Sequence, residues 1–307
     1  EAGADEPPGR FLAAPSSSLG PPPEAAFIPI VSLGSWCGVK AACRGLGIGA
    51  PTLPFDWVRL SLPGVLDALR RDFDGFLQYD GIALHDFATP RGEVFVAKER
   101  SFWHDDLRLQ ETRERYARRA ARFRELLRKA GELRVPVIFV RAVATTLELF
   151  QVDELRRCLA ELAGPAAARL LLLLDAQHRH GAVAFDDRPD LLLCTVSRHL
   201  DAGAEYSVKR TPYVSAYHGA LRAALAFAAR GEVPPDAVRL PSLAPLLRAG
   251  NDVVRHVSLQ EDLREPWSHD PHQPPQHVLA AAVEGRDATE KQIVAEMMQA
   301  HMEALFG

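Results

Sequence analysis

Cys37 stands where an apolar run ends. Ile30-Val31-Ser32-Leu33 reads as a strand, Gly34-Ser35-Trp36 breaks it, and Cys37-Gly38-Val39-Lys40 opens a helix. A thiol at a helix N-terminus is placed for nucleophilic chemistry. Free cysteine has a pKa of about 8.5, and a helix N-terminus with a neighbouring imidazolium lowers it by roughly one to several pH units. A fall of about 1.5 is worth about 2 kcal/mol. Read as packing instead, the same residue is a small buried hydrophobe, and position alone leaves both readings open.

Other chemistry-bearing patterns point to less. His178 and His180 flank Arg179, and His269, His272 and His277 lie among prolines near Asp270. No helix or hairpin fixes these spacings and no CxxC accompanies them, so no metal site is expected. There is no GxxxxGK[ST], and Gly45-Leu46-Gly47-Ile48-Gly49-Ala50 lacks the full GxGxxG spacing after a strand; no nucleotide or other cofactor is expected. Asp56, between Phe55 and Trp57, holds a turn or caps the following helix, and Arg141 at the end of a strand binds an anion or pairs with Asp175. For Asp56 and Arg141 the structural role is the stronger reading.

Across the whole chain, 307 residues with 47% hydrophobic and 25% charged content suffice for one large domain with a sizeable core. A net charge of -4 gives no global electrostatic case for nucleic acid or an anionic membrane. Cys37, Cys43, Cys158 and Cys194 form no CxxC pair, which excludes a zinc ribbon and a dense disulfide framework. Leu170 to Leu174 is far too short to span a membrane. The expectation is a soluble protein of a reducing compartment, the cytoplasm or an organelle interior reached after removal of a leader.

The elements that must position Cys37 follow from periodicity. Residues 1–26 are rich in Pro, Ser, Gly and Ala and read as a tail that is disordered or docks on a partner. Residues 27–230 read as an α/β core and 231–307 as a C-terminal helical extension; tail and extension are the expected sites for protein partners. Strands are expected from Phe27 to Leu33, Val135 to Arg141, Arg169 to Asp175 and Leu191 to Val196. Helices are expected at Cys37–Leu46, Pro63–Arg70, Arg108–Lys129, Val152–Ala163, Ala216–Arg230, Pro241–Arg248 and Ala288–Leu305, with an irregular stretch from Phe73 to Asp106. On the long third helix Tyr116, Ala120, Phe123 and Leu127 share one face, and Arg113, Arg115, Arg118, Arg119 and Arg122 read as solvated among glutamates. Nearly continuous apolar strands alternating with amphipathic helices call for a mainly parallel sheet flanked by helices, the nucleophile at a strand-to-helix turn.

Val31-Ser32-Leu33-Gly34-Ser35-Trp36-Cys37, Pro54-Phe55-Asp56-Trp57, Phe102-Trp103-His104-Asp105-Asp106, Tyr116-Ala117-Arg118-Arg119 and Ile138-Phe139-Val140-Arg141, in that order, resemble a family described as papain-like cysteine peptidases. The resemblance covers about Phe27 to Asp175. It implies Cys37 as nucleophile and the histidine of a His-Asp pair as its base. Two pairs are present, His85-Asp86 and His104-Asp105; His104 is preferred because it sits shortly before the Tyr-x-Arg-Arg helix, and His85 remains the competitor. Asp105 follows His104 directly, and adjacent side chains on extended backbone point to opposite faces. Asp56 or Asp175 is therefore the expected orienting partner.

The papain-like label implies an α+β fold as the alternative to the α/β reading. The function expected is a cysteine-dependent hydrolase or acyl-transfer protein acting on an amide, ester or thioester of an acyl or peptide substrate. The alternative is a noncatalytic scaffold or accessory subunit that keeps the fold.

Overall fold

A computed structural model describes residues 28–84, 92–143, 147–164, 167–177, 181–197 and 212–245. The chain opens with β1 (Ile30–Ser32), α1 (Gly38–Gly45), β2 (Val58–Leu60) and α2 (Leu62–Arg70), then β3 (Gly81–Leu84), β4 (Glu93–Ala97) and β5 (Arg100–Phe102). There follow α3 (Gln110–Leu133), β6 (Val137–Ala142), the short α4 (Leu147–Phe150), α5 (Val152–Ala163) and β7 (Ala168–Gln177). β8 (Gly181–Phe185), β9 (Leu191–Ser197), α6 (Pro212–Arg230) and β10 (Val238–Leu240) complete the described elements.

The main sheet has the order β1-β6-β7-β9-β8-β10. β1, β6, β7 and β9 run parallel to one another, β8 is antiparallel to β9, and β10 is parallel to β8. Period-two alternation divides these strands between two cores. Val31, Phe139, Leu170, Leu172 and Leu193 pack with Val65 of α2, Phe123 of α3 and Leu155 of α5. Ile30, Ile138, Val140, Leu171 and Cys194 pack with Val39 and Ala42 of α1 and Tyr217, Ala220 and Ala224 of α6. Burial on both faces is why these strands read as unbroken apolar runs. The fold is the α/β arrangement expected; antiparallel pairing, which the α+β alternative invoked, is confined among the described residues to β8–β9 and a second sheet.

That second sheet, in the order β2-β5-β4-β3, is antiparallel throughout and lies between α1 and α3 in sequence. It occupies much of the stretch expected to be irregular. Its strands are only three to five residues long, and β3 leaves Ile82 and Leu84 exposed, so no apolar run announces them. Val58, Leu60, Phe95 and Phe102 turn inward to the first core. α2 begins near Pro63 as expected, but its N-cap is Ser61 and not Asp56: Ser61 accepts a hydrogen bond from Gly64 N–H at 3.2 Å, with a proline in the first turn. Of the helix expected at Pro241–Arg248, Ala244 and Pro245 are helical and residues 246–248 lie outside the described residues, as does the helix expected at Ala288–Leu305.

β1 is joined to α1 by the turn that delivers Cys37. Gly34 has φ +76°, and a Cβ there would lie 2.1 Å from Leu60 Cδ2. Both the backbone conformation and the close approach of β2 require glycine. Gly34→Ala should lower the unfolding free energy by at least about 1–3 kcal/mol, measured as a drop in the denaturant midpoint at unchanged slope.

Candidate active site around Cys37

Cys37 is the N-cap residue of α1, half-buried, with φ -73° and ψ -7°. Its carbonyl accepts the first helical bond, from Ala41 N–H at 2.9 Å. The approach to it is strained. Ser35 follows Gly34 with φ +76°, unusual for a residue with a side chain, and its hydroxyl is buried without a hydrogen-bond partner among the described residues. Trp36 closes over the start of the helix and donates its indole N–H to Tyr217 Oη of α6 at 3.2 Å. Gly38 admits that ring: a Cβ there would sit 2.1 Å from Trp36 Cζ2.

Burial pushes the Cys37 thiol above its ordinary value of 9.0, while Arg59 and the residue's own backbone N–H pull it down. Arg59 lies on β2 opposite Ser101 of β5, with its guanidinium 3.8 Å from the Trp103 ring centroid. One residue beyond Trp103 comes His104, an exposed side chain whose ring meets Trp57 edge-on at 5.7 Å. Partial desolvation draws the His104 imidazole below its ordinary 6.5; Asp105 opposes that shift and Arg59 adds to it. Arg59 thus acts on both the thiol and the imidazole. No hydrogen bond joins Cys37 and His104 in this structure.

The other expected participants are occupied elsewhere. Asp56 is 1% exposed; its Oδ2 accepts from Leu53 N–H at 2.8 Å and pairs with Lys40 Nζ at 2.9 Å. Lys40 also donates to the Ala50 carbonyl at 2.8 Å. The carboxylate therefore fastens α1 to the Pro54–Trp57 turn, and it makes no hydrogen bond to His104. Asp105 faces away from its neighbour as alternation requires: it accepts from Arg115 at 2.7 Å and from Tyr116 Oη at 2.8 Å. Arg119 lies 3.6 Å from Asp105 and is buried, not solvated as the charge pattern of α3 suggested. His85, the competing base, lies outside the described residues, as do His178, His180, His269, His272 and His277; the side chain of Asp175 is likewise not described. No group of His, Cys, Asp and Glu side chains suited to a metal ion occurs among the described residues.

Arg141 is wholly buried and pairs with Glu148 of α4. The two side chains form a bidentate pair. The guanidinium also donates to the carbonyls of Leu33, at 3.0 Å, and Leu60, at 2.9 Å, and Glu148 accepts from Leu62 N–H at 3.0 Å. One ion pair thereby joins the ends of β1, β2 and β6 and the start of α2.

Sequence reasoning missed Arg59, Lys40 and Glu148. The alternation Trp57-x-Arg59 beside Ser101-x-Trp103 carries the signal for Arg59, but only once β2 and β5 are known to pair. A family described as "Putative papain-like cysteine peptidase" matches residues 29–172. No curated protein and no solved structure matches.

Two outcomes are expected. Arg141→Met, which strands Glu148 in the core, should cost about 3–5 kcal/mol in chemical denaturation, and Arg141→Met with Glu148→Leu distinctly less. The His104 imidazole should titrate below 6.5 by histidine proton NMR. Since its neutral form is favoured on folding, its contribution to stability is complete above 6.5 and is lost as pH falls through the folded value.

Proposed function

We propose, taking as premise that residues 29–172 match a family described as papain-like cysteine peptidases, that the protein is a cysteine-dependent hydrolase or acyl-transfer enzyme with Cys37 as nucleophile and His104 as base. The observation that carries this reading is the placement of Cys37: a half-buried cysteine at the N-cap of a helix, after a strained turn. Strain at a buried turn is costly and collects where a side chain must be aimed.

In the reaction, Cys37 Sγ attacks the carbonyl carbon of an amide, ester or thioester as its proton passes to the His104 imidazole. The carbonyl oxygen becomes an oxyanion and takes hydrogen bonds from backbone N–H groups of the first turn of α1, which have no intrahelical acceptor. The protonated imidazole then gives its proton to the leaving group, the acyl group stays on sulfur, and water or another acceptor releases it. His104 suits the task because it is neutral at pH 7. Peptide substrates are favoured by the family description. The four cysteines are all free thiols, which favours a reducing compartment; no helix among the described residues is long and apolar enough to cross a membrane.

A specific observation favours the second reading, a noncatalytic scaffold: the Cys37 thiol is pushed up by burial and makes no hydrogen bond to an imidazole among the described residues. Acylation separates the two. Incubation with p-nitrophenyl acetate should leave an acetyl group on Cys37, detected by peptide mass spectrometry, with a burst of nitrophenolate that Cys37→Ser abolishes. His104→Ala should slow acylation by about 10²–10⁴-fold. A Cys37 that acylates no faster than a free cysteine peptide would leave the scaffold.

A further inference from the structure

A histidine base needs its imidazole held in one plane, and in catalytic triads a carboxylate or carboxamide does this. Neither acid beside the site does so here: Asp56 is taken by Lys40 and Leu53 N–H, and Asp105 by Arg115 and Tyr116. Among the described residues the His104 side chain makes no hydrogen bond and one ring contact. Its imidazole meets the Trp57 indole at 5.7 Å between centroids and 86° between planes. An edge-on pair of that kind favours one relative orientation of the two rings.

The pairing of β2 with β5 brings the two rings together. Val58 is in register with Phe102, so one step beyond the ladder Trp57 comes opposite Trp103, and the next residue along is His104. Both backbones are fastened there. The turn before Trp57 closes with Asp56 N–H donating to the Leu53 carbonyl at 3.3 Å, and Phe55 is buried against Phe73, Phe76 and Phe123. On the other side Trp103 donates to Ser101 Oγ at 3.1 Å, and Asp105 is buried against α3. With the residues on either side of His104 fixed, its imidazole dihedrals are what is left to set. Asp56, next to Trp57, pairs with Lys40 at 2.9 Å, one turn along α1 from Cys37. The ring that meets the base thus belongs to a turn tied to the helix of the nucleophile.

We propose that Trp57 is the positioning residue of the site: its indole, edge-on to the His104 imidazole, sets the plane in which that ring takes the Cys37 proton, the orienting task that a carboxylate performs in a triad. The proposal rests on Cys37 and His104 being nucleophile and base. Beyond the area it buries, an aromatic pair of this geometry shifts the population of the oriented ring about 2- to 10-fold.

The test is a double-mutant cycle on the rate of Cys37 acetylation by p-nitrophenyl acetate, measured on the full-length chain. Trp57→Leu keeps apolar bulk over the turn and removes the ring. It should slow acetylation about 2- to 10-fold, and Trp57→Phe, which keeps a ring, should restore most of that loss. In a His104→Ala background Trp57→Leu should slow the reaction no further, because a residue that acts through the imidazole has nothing left to position. Equal losses in the two backgrounds would overturn the proposal, as would a Trp57→Leu rate equal to wild type. Wild type supplies an arm that needs neither turnover nor a variant. The indole should displace the His104 ring protons in proton NMR from those of a neutral histidine peptide, and resonances at the peptide positions would also overturn it. A burst that depends on Cys37 and His104, with either negative result for Trp57, would leave the hydrolase reading standing and remove Trp57 alone. A Cys37 that acetylates no faster than a free cysteine peptide would remove both.

Discussion

The buried pair of Arg141 and Glu148 is the interaction on which the rest of the candidate site depends. An unpaired charge in the core costs several kcal/mol, and even a paired one is stabilising only when its remaining donors and acceptors are met. Here they are met by backbone: the Leu33 and Leu60 carbonyls on the arginine and the Leu62 N–H on the glutamate. Those groups lie at the ends of β1 and β2 and at the start of α2. A polar device at that point removes unsatisfied backbone and in the same geometry fixes how the second sheet sits against the first. Apolar residues of equal volume could fill the space but could not accept that N–H or serve those carbonyls.

From this joint the site is built outward. β1 ends at the clamp, Gly34 lets the chain turn against Leu60, and Cys37 caps the start of α1. β2 follows Trp57, and its outward residue is Arg59. The Lys40–Asp56 pair ties the helix to the turn before β2 a second time, while Asp105 secures the His104 loop to α3 through Arg115, Tyr116 and Arg119. Both acidic residues beside aromatic site residues therefore act on the scaffold. Their neighbours Trp57 and His104 meet each other, which is how a structural residue and a functional one come to be adjacent in sequence at both places.

Much of this was legible in the chain. β6, β7 and β9 are buried on both faces, so their nearly unbroken apolar runs could be only core strands, and the stripe of Tyr116, Phe123 and Leu127 set the inner face of α3. The strand-to-helix turn at Cys37 was legible because glycine breaks an apolar run. The second sheet was not: short strands with one wet face leave no run, and the pairing of β2 is settled by a partner far along the chain. The same distance hid Arg59, whose meaning depends on Trp103 across β2 and β5. Arg119 was misplaced because charge on a helix face reads as solvated unless a buried acid awaits it, and Asp105 is not on the helix. Glu148 escaped because Asp175 on the next strand was the nearer carboxylate in the α/β pattern.

The indole of Trp36 hydrogen-bonds Tyr217, and α6 lies against α1 in the core beneath it. The family match ends at residue 172, inside β7 and well before α6 begins. The recognisable segment is thus not a self-sufficient unit. Cut at that border, it would leave Val39, Ala42, Cys43 and Trp36 without their cover and β7 without its partner β9. Whatever lineage supplied the helix that bears Cys37, its foldability in this protein is on loan from sequence that the family pattern does not describe.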